Sequence, residues 1–242
     1  MVFSKKCLLL VLALGFTTVG GRLTLAVETL AFSALEDSGP QEVAKSVLRE
    51  AYRRIGISID FVTMPGERAL LESNAGRNDG EVVRIGGIEK KYSNLIRVPV
   101  SISQLDGVAF TKHVSIPIEG WHSLKGHSIG AFTGSKFVEN NTTDMEVTYV
   151  PGVKNLFAML QRNRLDLVVI PYLSGLRYIK NHSISGFKAL SPPLITIKLY
   201  HYLHKKNRSL LPKITKSLEI VQKNNRIRQL RREYIASLQI SP

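Results

Sequence analysis

Between residues 30 and 85 the chain passes through five segments of alternating hydrophobic period, and this alternation constrains the fold more than any other feature. Leu30 to Leu35 is a short apolar run. Glu36-Asp-Ser-Gly-Pro40 follows as a turn cluster that offers a helix N-cap and a proline for the first turn. Val43, Val47, Leu48, Ala51, Tyr52 and Ile55 recur at helical spacing, Arg49, Arg53 and Arg54 face away from them, and Gly56 is the expected stop. Ile57 to Thr63 alternates as a strand. Pro65 opens a second helix to about Ala75, Gly76 closes it, and Glu81 to Ile85 reads as a buried strand. Strand, helix, strand, helix, strand predicts a parallel sheet with crossover helices.

The same grammar returns further on. Leu95 to Pro99 and Val108 to Lys112 read as extended pieces, the second as a crossing out of the first lobe. Ser128 to Phe132 is a strand, Thr133-Gly-Ser135 a turn before a short helix, and Glu146 to Val150 a strand. A helix from Val153 to about Asn163 and a strand from Leu165 to Ile170 follow, with Pro171 as the stop. A helix around Leu173 to Lys180 leads to Gly186 to Leu190 and to Ile195 to Leu203, a return crossing. Leu210 to Val221 and Ile227 to Leu238 end the chain as amphipathic helices. Ligands of open α/β sheets bind beyond the carboxyl ends of the strands, so the cleft between two such lobes is the place to seek a site.

Met1 to Ala26 stands apart. Lys5 and Lys6 precede the apolar run Cys7 to Phe16, and Thr24-Leu-Ala26 places small residues where a signal peptidase reads, so residues 1–26 are expected to be a cleaved signal peptide and the protein periplasmic. Cys7 starts the apolar run instead of ending it, which argues against a lipid anchor. It is also the one cysteine, so the exported chain must be held by its core and not by bridges. The 242 residues carry 33 Lys and Arg against 19 Asp and Glu. Lys205 to Pro242 alone contributes +8, and Val27 to His204 only +3. A charged tail of that kind is either a solvated helix face or a surface for anionic lipid; export disfavours a nucleic-acid target.

The order and spacing of several short pieces resemble the bacterial extracellular solute-binding proteins of family 3, the type 2 periplasmic binding fold of amino-acid receptors for ABC importers. The pieces are Val47-Leu-Arg-Glu-Ala-Tyr-Arg-Arg-Ile-Gly56, Pro65-Gly-Glu-Arg-Ala-Leu70, Asn78-Asp-Gly80, Ser123-Leu-Lys-Gly126, Ser128-Ile-Gly130, Gly134-Ser135 and Asn163-Arg-Leu-Asp-Leu-Val-Val169. The resemblance implies an α/β, two-lobed Venus flytrap with two crossing hinge segments: residues 27–110 in the first lobe, 111–193 in the second, and 194–242 returning as a crossing and the C-terminal helices of the first. It also implies a small-molecule solute and an inner-membrane permease or sensor as partners, with the protein itself acting as a monomer. Two family contacts are missing. Where such receptors carry Thr-Pro-Glu-Arg this chain reads Ile88-Glu-Lys-Lys-Tyr92, and where they place an Asp for an ammonium group it has Pro171-Tyr172.

Candidate ligand contacts follow from placement. Arg84, near the carboxyl end of its strand, can fork onto a carboxylate or phosphate, or can instead brace Glu67 or Glu81. Arg68 lies in the first turn of the second helix. Gly134 and Ser135 offer a backbone N–H and a hydroxyl at a strand end, unless Thr133 or Ser135 serves only to cap the short helix that follows, and Phe132 and Tyr172 end strands where they can stack on a solute or fill the core. Asp166 is a brace or a contact. Enzymatic readings find little: the chain has no Gly-x-Ser-x-Gly elbow and no phosphate-binding glycine loop with Lys-Ser or Lys-Thr, and His201 and His204, three apart in a strand, face opposite sides. No metal, cofactor or catalytic residue is expected. The sequence reading is thus a solute-binding protein, or a sensory adaptor of the same fold.

Overall fold

The structure, a computed structural model, describes residues 29–238; the expected signal peptide lies outside the described residues. The first five elements are β1 (Leu30–Leu35), α1 (Gly39–Arg54), β2 (Ile59–Met64), α2 (Gly66–Asn74) and β3 (Gly80–Ile85). β1 pairs in parallel with β2 and with β3. α1 starts with Pro40 in its first turn, buries Val43, Ala44, Val47, Leu48, Ala51 and Tyr52, and ends on Arg53 and Arg54, which complement the helix dipole. Gly56, at φ +73°, makes the reversal into β2 that a side chain would strain.

β4 (Leu95–Thr111) and β9 (Ile195–His204) are long antiparallel partners that run from one lobe into the other. The sequence suggested two short pieces between Leu95 and Lys112, the second a crossing; the structure has one 17-residue strand. Pro99 did not end it because the proline falls inside a register shift of the β4–β9 ladder, between Arg97 and Ser101, where no ladder N–H is required. A second shift lies between Ser101 and Ser103, so both irregularities fall in the half of β4 that packs on the first-lobe core through Val98, Val100 and Ile102.

The second lobe contains β5 (Ile129–Phe132), α3 (Lys136–Glu139), β6 (Val147–Val150), α4 (Gly152–Gln161), β7 (Leu167–Pro171), α5 (Tyr172–Asn181) and the short β8 (Lys188–Ala189). The strand order across the whole sheet is β2-β1-β3-β9-β4-β7-β5-β6, with β8 added to β4. β7 is buried on both faces. Leu167 and Val169 enter one apolar cluster with Ile129 and Leu124, while Val168 and Ile170 enter another with Phe110 and Phe157, which explains its unbroken apolar run. In the first lobe Phe32, Leu48, Tyr52, Val82 and Ile102 form the main core.

α6 (Leu211–Lys223) completes that core with Ile214, Leu218 and Val221, and α7 (Arg226–Leu238) follows it. α7 packs against α1 and against α5 of the second lobe: Arg226 pairs with Glu50 on α1, and Arg231 pairs with Asp106 on the crossing strand β4. Asp106 also accepts from Gln104 Nε2 and Thr196 Oγ1 at 2.8 Å each, so this carboxylate ties α7 to both crossing strands.

Candidate ligand-binding cleft

Strand direction fixes where a ligand can meet both lobes. β9 is antiparallel to both β3 and β4, so β3 and β4 run the same way and the carboxyl end of β3 points toward the second lobe. β7 is antiparallel to β4, and its carboxyl end points back toward the first. The carboxyl ends of the two parallel groups therefore oppose each other across the crossing strands, which is where open α/β sheets place their ligands.

In the first lobe, Leu35, Gly66 and Arg84 come together at these ends. A Cβ on Gly66 would lie 2.9 Å from Leu35 Cδ2 and 3.8 Å from Arg84 Nη1. Arg84 donates through Nε to Glu81 Oε2 at 2.6 Å and through Nη2 to the Gly66 carbonyl at 3.0 Å, and its side chain is only 11% exposed. The other oxygen of Glu81 lies 2.8 Å from Ser73 Oγ, which is 2.8 Å from Ser33 Oγ, and Asn78 Nδ2 donates to Ser33 at 2.7 Å. Glu81 is fully buried. Burial pushes its carboxyl above the ordinary range, while Arg84 and Ser73 pull against that shift.

Residues three apart in a strand should face opposite ways, yet Glu81 and Arg84 meet. β3 has a register irregularity between them that returns both side chains to one face. This bulge is the reason a sequence reading could name Glu81 as a partner for Arg84 but could not choose it over Glu67. Glu67 instead accepts from Lys91 and the Tyr92 hydroxyl. Arg68 sits exposed in the first turn of α2, within the field of Glu72, and does not join Arg84.

In the second lobe, Thr133 donates its N–H to the Val150 carbonyl and Ser135 donates to Phe132, holding a tight turn. Gly134 occupies its tip at φ +83°, exposed, and among the described residues its N–H has no partner. The Ser135 hydroxyl is buried and likewise has no hydrogen-bond partner. Phe132 and Tyr172 are half-buried against the core that contains Phe110, and Tyr172 stacks on the Phe110 ring at 6.4 Å. Asp166 lies at the other end of the lobe, where it accepts from the N–H and hydroxyl of Ser128 at 2.8 Å; it braces the chain.

The lobes also touch directly. The Gly39 N–H at the start of α1 donates to Ser174 Oγ on α5 at 3.3 Å, and a Cβ on Gly39 would collide with the Leu173 backbone at 2.5 Å. Arg177 of α5 lies 3.9 Å from Asp37 and 3.8 Å from Glu42. Nothing in the sequence flagged this contact, because Gly39 read as turn chemistry and Ser174 as one polar residue on a helix. Two surface cavities, about 640 Å³ and 560 Å³, lie at the amino ends of the strands in the first and second lobes, away from these facing ends.

No protein-family model matches the chain. An uncharacterized protein of Shewanella oneidensis is 22% identical over 204 residues, covering 81% of this chain and 77% of that one. Among solved structures, a histidine kinase sensor domain with similarity to periplasmic binding proteins superposes with a TM-score of 0.67 at 14% identity, over 86% of this chain and 96% of its own. An ancestral arginine-binding protein bound to arginine gives 0.67 at 19%, over 85% and 97%. The fold is that of the two-lobed periplasmic binding proteins. A third example, the amino acid transporter substrate-binding protein AbpA from Streptococcus pneumoniae bound to L-arginine, gives 0.66 at 11%, over 88% and 97%. This Venus-flytrap fold accounts for the opposed strand ends and the paired crossing strands, and its structural relatives here are binding proteins and sensor domains. Among the described residues no helix is long and apolar enough to cross a membrane.

Proposed function

We propose that this protein is a periplasmic, non-catalytic solute receptor that closes its lobes over a small polar solute, anionic or amino-acid-like, and delivers it to an ABC-type importer of the inner membrane. The proposed lobe division is residues 27–110 with 194–242 against 111–193, the long crossing strands being shared. The observation that carries the reading is the pairing of a fixed cation with unspent donors at facing strand ends. Arg84 is oriented by Glu81 and by the Gly66 carbonyl, and Gly134 and Ser135 hold an N–H and a hydroxyl with no protein partner. A carboxylate or phosphate accepts from both kinds of donor. Phe132 and Tyr172 would flank the solute, and Arg68 would add field at the rim.

Closure needs a solute that binds the closed state better than the open one. A thermal-shift screen against amino acids, dicarboxylates and small phosphorylated solutes tests this, because a ligand of the folded state alone raises stability with concentration. The reading expects a saturable shift that is lost in Arg84→Gln measured against that variant's own baseline. No shift from any class would overturn it.

A second reading, a sensory adaptor of the same fold, draws support from the likeness to a histidine kinase sensor domain and from the direct Gly39–Ser174 contact, which joins the lobes without a solute between them. A receptor found to bind a solute but encoded away from any permease and ATPase would move the assignment to this reading.

A further inference from the structure

The end of the first lobe opposite the cleft gathers positive charge from segments far apart in sequence. α1 runs away from the cleft and ends there on Arg53 and Arg54, both exposed. β9 ends there too, since the His204 N–H bonds to the carbonyl of Asp79, just before β3, and the Lys205 N–H bonds to Asn94, just before β4. Exposed Lys205 and Arg208 follow directly. α6 runs antiparallel to α1: the Ser217 hydroxyl bonds to the Ala51 carbonyl, so Lys213, one turn before Ser217, sits beside the end of α1. Leu210, Leu211, Ile55 and Ile57 pack on one core and hold these segments together.

None of Arg53, Arg54, Lys205, Arg208 and Lys213 forms an ion pair among the described residues. The acidic groups at this end are few and mostly engaged: Asp79 by Lys206 and Asn207, Glu72 by Arg77, and Glu50, near the end of α1, by Arg226, while Asp60 is exposed. The cavity of about 640 Å³ opens on the same face, lined by Arg49 and Arg53 together with Ser58 and the Asp60 carboxylate. Arg49 is held over the Phe61 ring at 4.8 Å, and it lines the same cavity as Arg53, one helical turn further along α1. The chain enters this face at Thr29, downstream of the apolar run Cys7 to Phe16.

We infer that this end of the first lobe is a docking face for an anionic bilayer, with Arg53, Arg54, Lys205, Arg208 and Lys213 set against lipid phosphates and one headgroup gripped by Arg49 and Arg53. A solvated helix face interleaves both signs, whereas this surface draws one sign from α1, the end of β9 and α6. Two neighbouring guanidinium groups suit a phosphate diester, which offers two acceptor oxygens. The cleft lies at the other end of the lobe, so a docked receptor keeps it open to solute.

The test is co-sedimentation of the purified protein with vesicles of mixed phosphatidylglycerol and phosphatidylcholine, against vesicles of phosphatidylcholine alone. Binding to the mixed vesicles only, weakening as salt is raised, is expected. Each basic side chain near such a surface contributes roughly fivefold, so Arg53→Glu/Arg54→Glu should lower the partition coefficient at least ~25-fold. Arg162→Glu/Lys180→Glu, the same change of net charge on exposed positions of the second lobe, should lower it less than about threefold. Equal losses in the two double variants would reduce the effect to net charge and overturn the face. Abolition by inorganic phosphate at an ionic strength where chloride has no effect would make the cavity a phosphate site and overturn the bilayer assignment. Absence of any vesicle binding would also overturn it and would leave the face to an acidic protein partner.

Discussion

The two lobes share a layout of parallel strands and covering helices, but they bury different chemistry. The first encloses Glu81 and His201 and anchors Arg84 to Glu81; the polar side chains buried in the second are hydroxyls, those of Thr111, Ser135, Thr142 and Ser174. A buried ion pair and a buried imidazole tolerate few arrangements, because each charge or ring nitrogen must keep its partner. A hydroxyl can exchange partners at small cost. The first lobe therefore holds a cation in one position, while in the second Thr111, Thr142 and Ser174 have protein partners and Ser135 has none; on the proposed reading, a solute binds first to the fixed cation and the second lobe closes with the Ser135 hydroxyl.

The most damaging way to test that contrast is Arg84→Met. It strands a fully buried Glu81 carboxylate, and removing one member of a buried pair costs about 3–5 kcal/mol. Urea denaturation should show that loss, and adding Glu81→Gln should recover a substantial part of it. A loss under about 1 kcal/mol would mean that the pair is solvated and that the first lobe is no more rigid than the second.

Acid should act on the first lobe through His201. Its Nδ1–H faces the Glu81 carbonyl at 2.7 Å, its Nε2 accepts from the Tyr52 hydroxyl at 2.9 Å, and burial holds its pKa down to about 4 from 6.5. The unfolded chain then binds the proton between these values and the native chain does not. The contribution is present in full above pH 6.5 and is lost as pH falls toward 4, by ~3 kcal/mol. Glu81 acts in the opposite sense: a raised carboxyl pKa favours the fold at lower pH. The His201 share is therefore read as the difference between wild type and His201→Gln, whose stability should fall less steeply across this window. Identical slopes in the two proteins would remove His201 as the acid-labile element.

How far the sequence anticipated the molecule follows the same divide. Elements with local signals were legible: Val43 to Ile55 with Gly56 marked α1 to within a few residues, and Leu165 to Ile170 before Pro171 marked the strand that the structure has as Leu167–Pro171. Pro99 misled because a proline's meaning depends on the ladder beside it, and the ladder partner, β9, lies about a hundred residues away in sequence. Arg84 was found as a strand-end cation. Its partner was not resolvable, since the bulge that joins it to Glu81 is a property of pairing with β9. The lobe contact between Gly39 and Ser174, 135 positions apart, left no local trace.

Between the lobes, Arg231→Ala probes whether α7 stiffens the crossing strands. Asp106 keeps Gln104 and Thr196, so the expected loss is smaller, about 2 kcal/mol for one charge-assisted bond. Small-angle scattering should show a larger radius of gyration in the variant than in wild type if the tie limits opening. An unchanged radius with the same loss of stability would make Arg231 a local brace only.

The smallest expected effect on stability is the most informative about the second lobe. Ser135 Oγ is buried without a partner, so Ser135→Ala removes an unmet hydrogen-bonding group and deletes no bond. Folding stability should stay within about 0.5 kcal/mol of wild type or rise slightly. Solute affinity should fall by roughly tenfold, the worth of one hydrogen bond to a charged acceptor in a closed site. Such a split, with binding lost and folding untouched, is open to a group whose partner is the solute and closed to one whose partner is the protein. A Ser135→Ala variant that loses stability and keeps its affinity would place the hydroxyl in the scaffold, and the second lobe would then have to grip the solute through the Gly134 N–H alone.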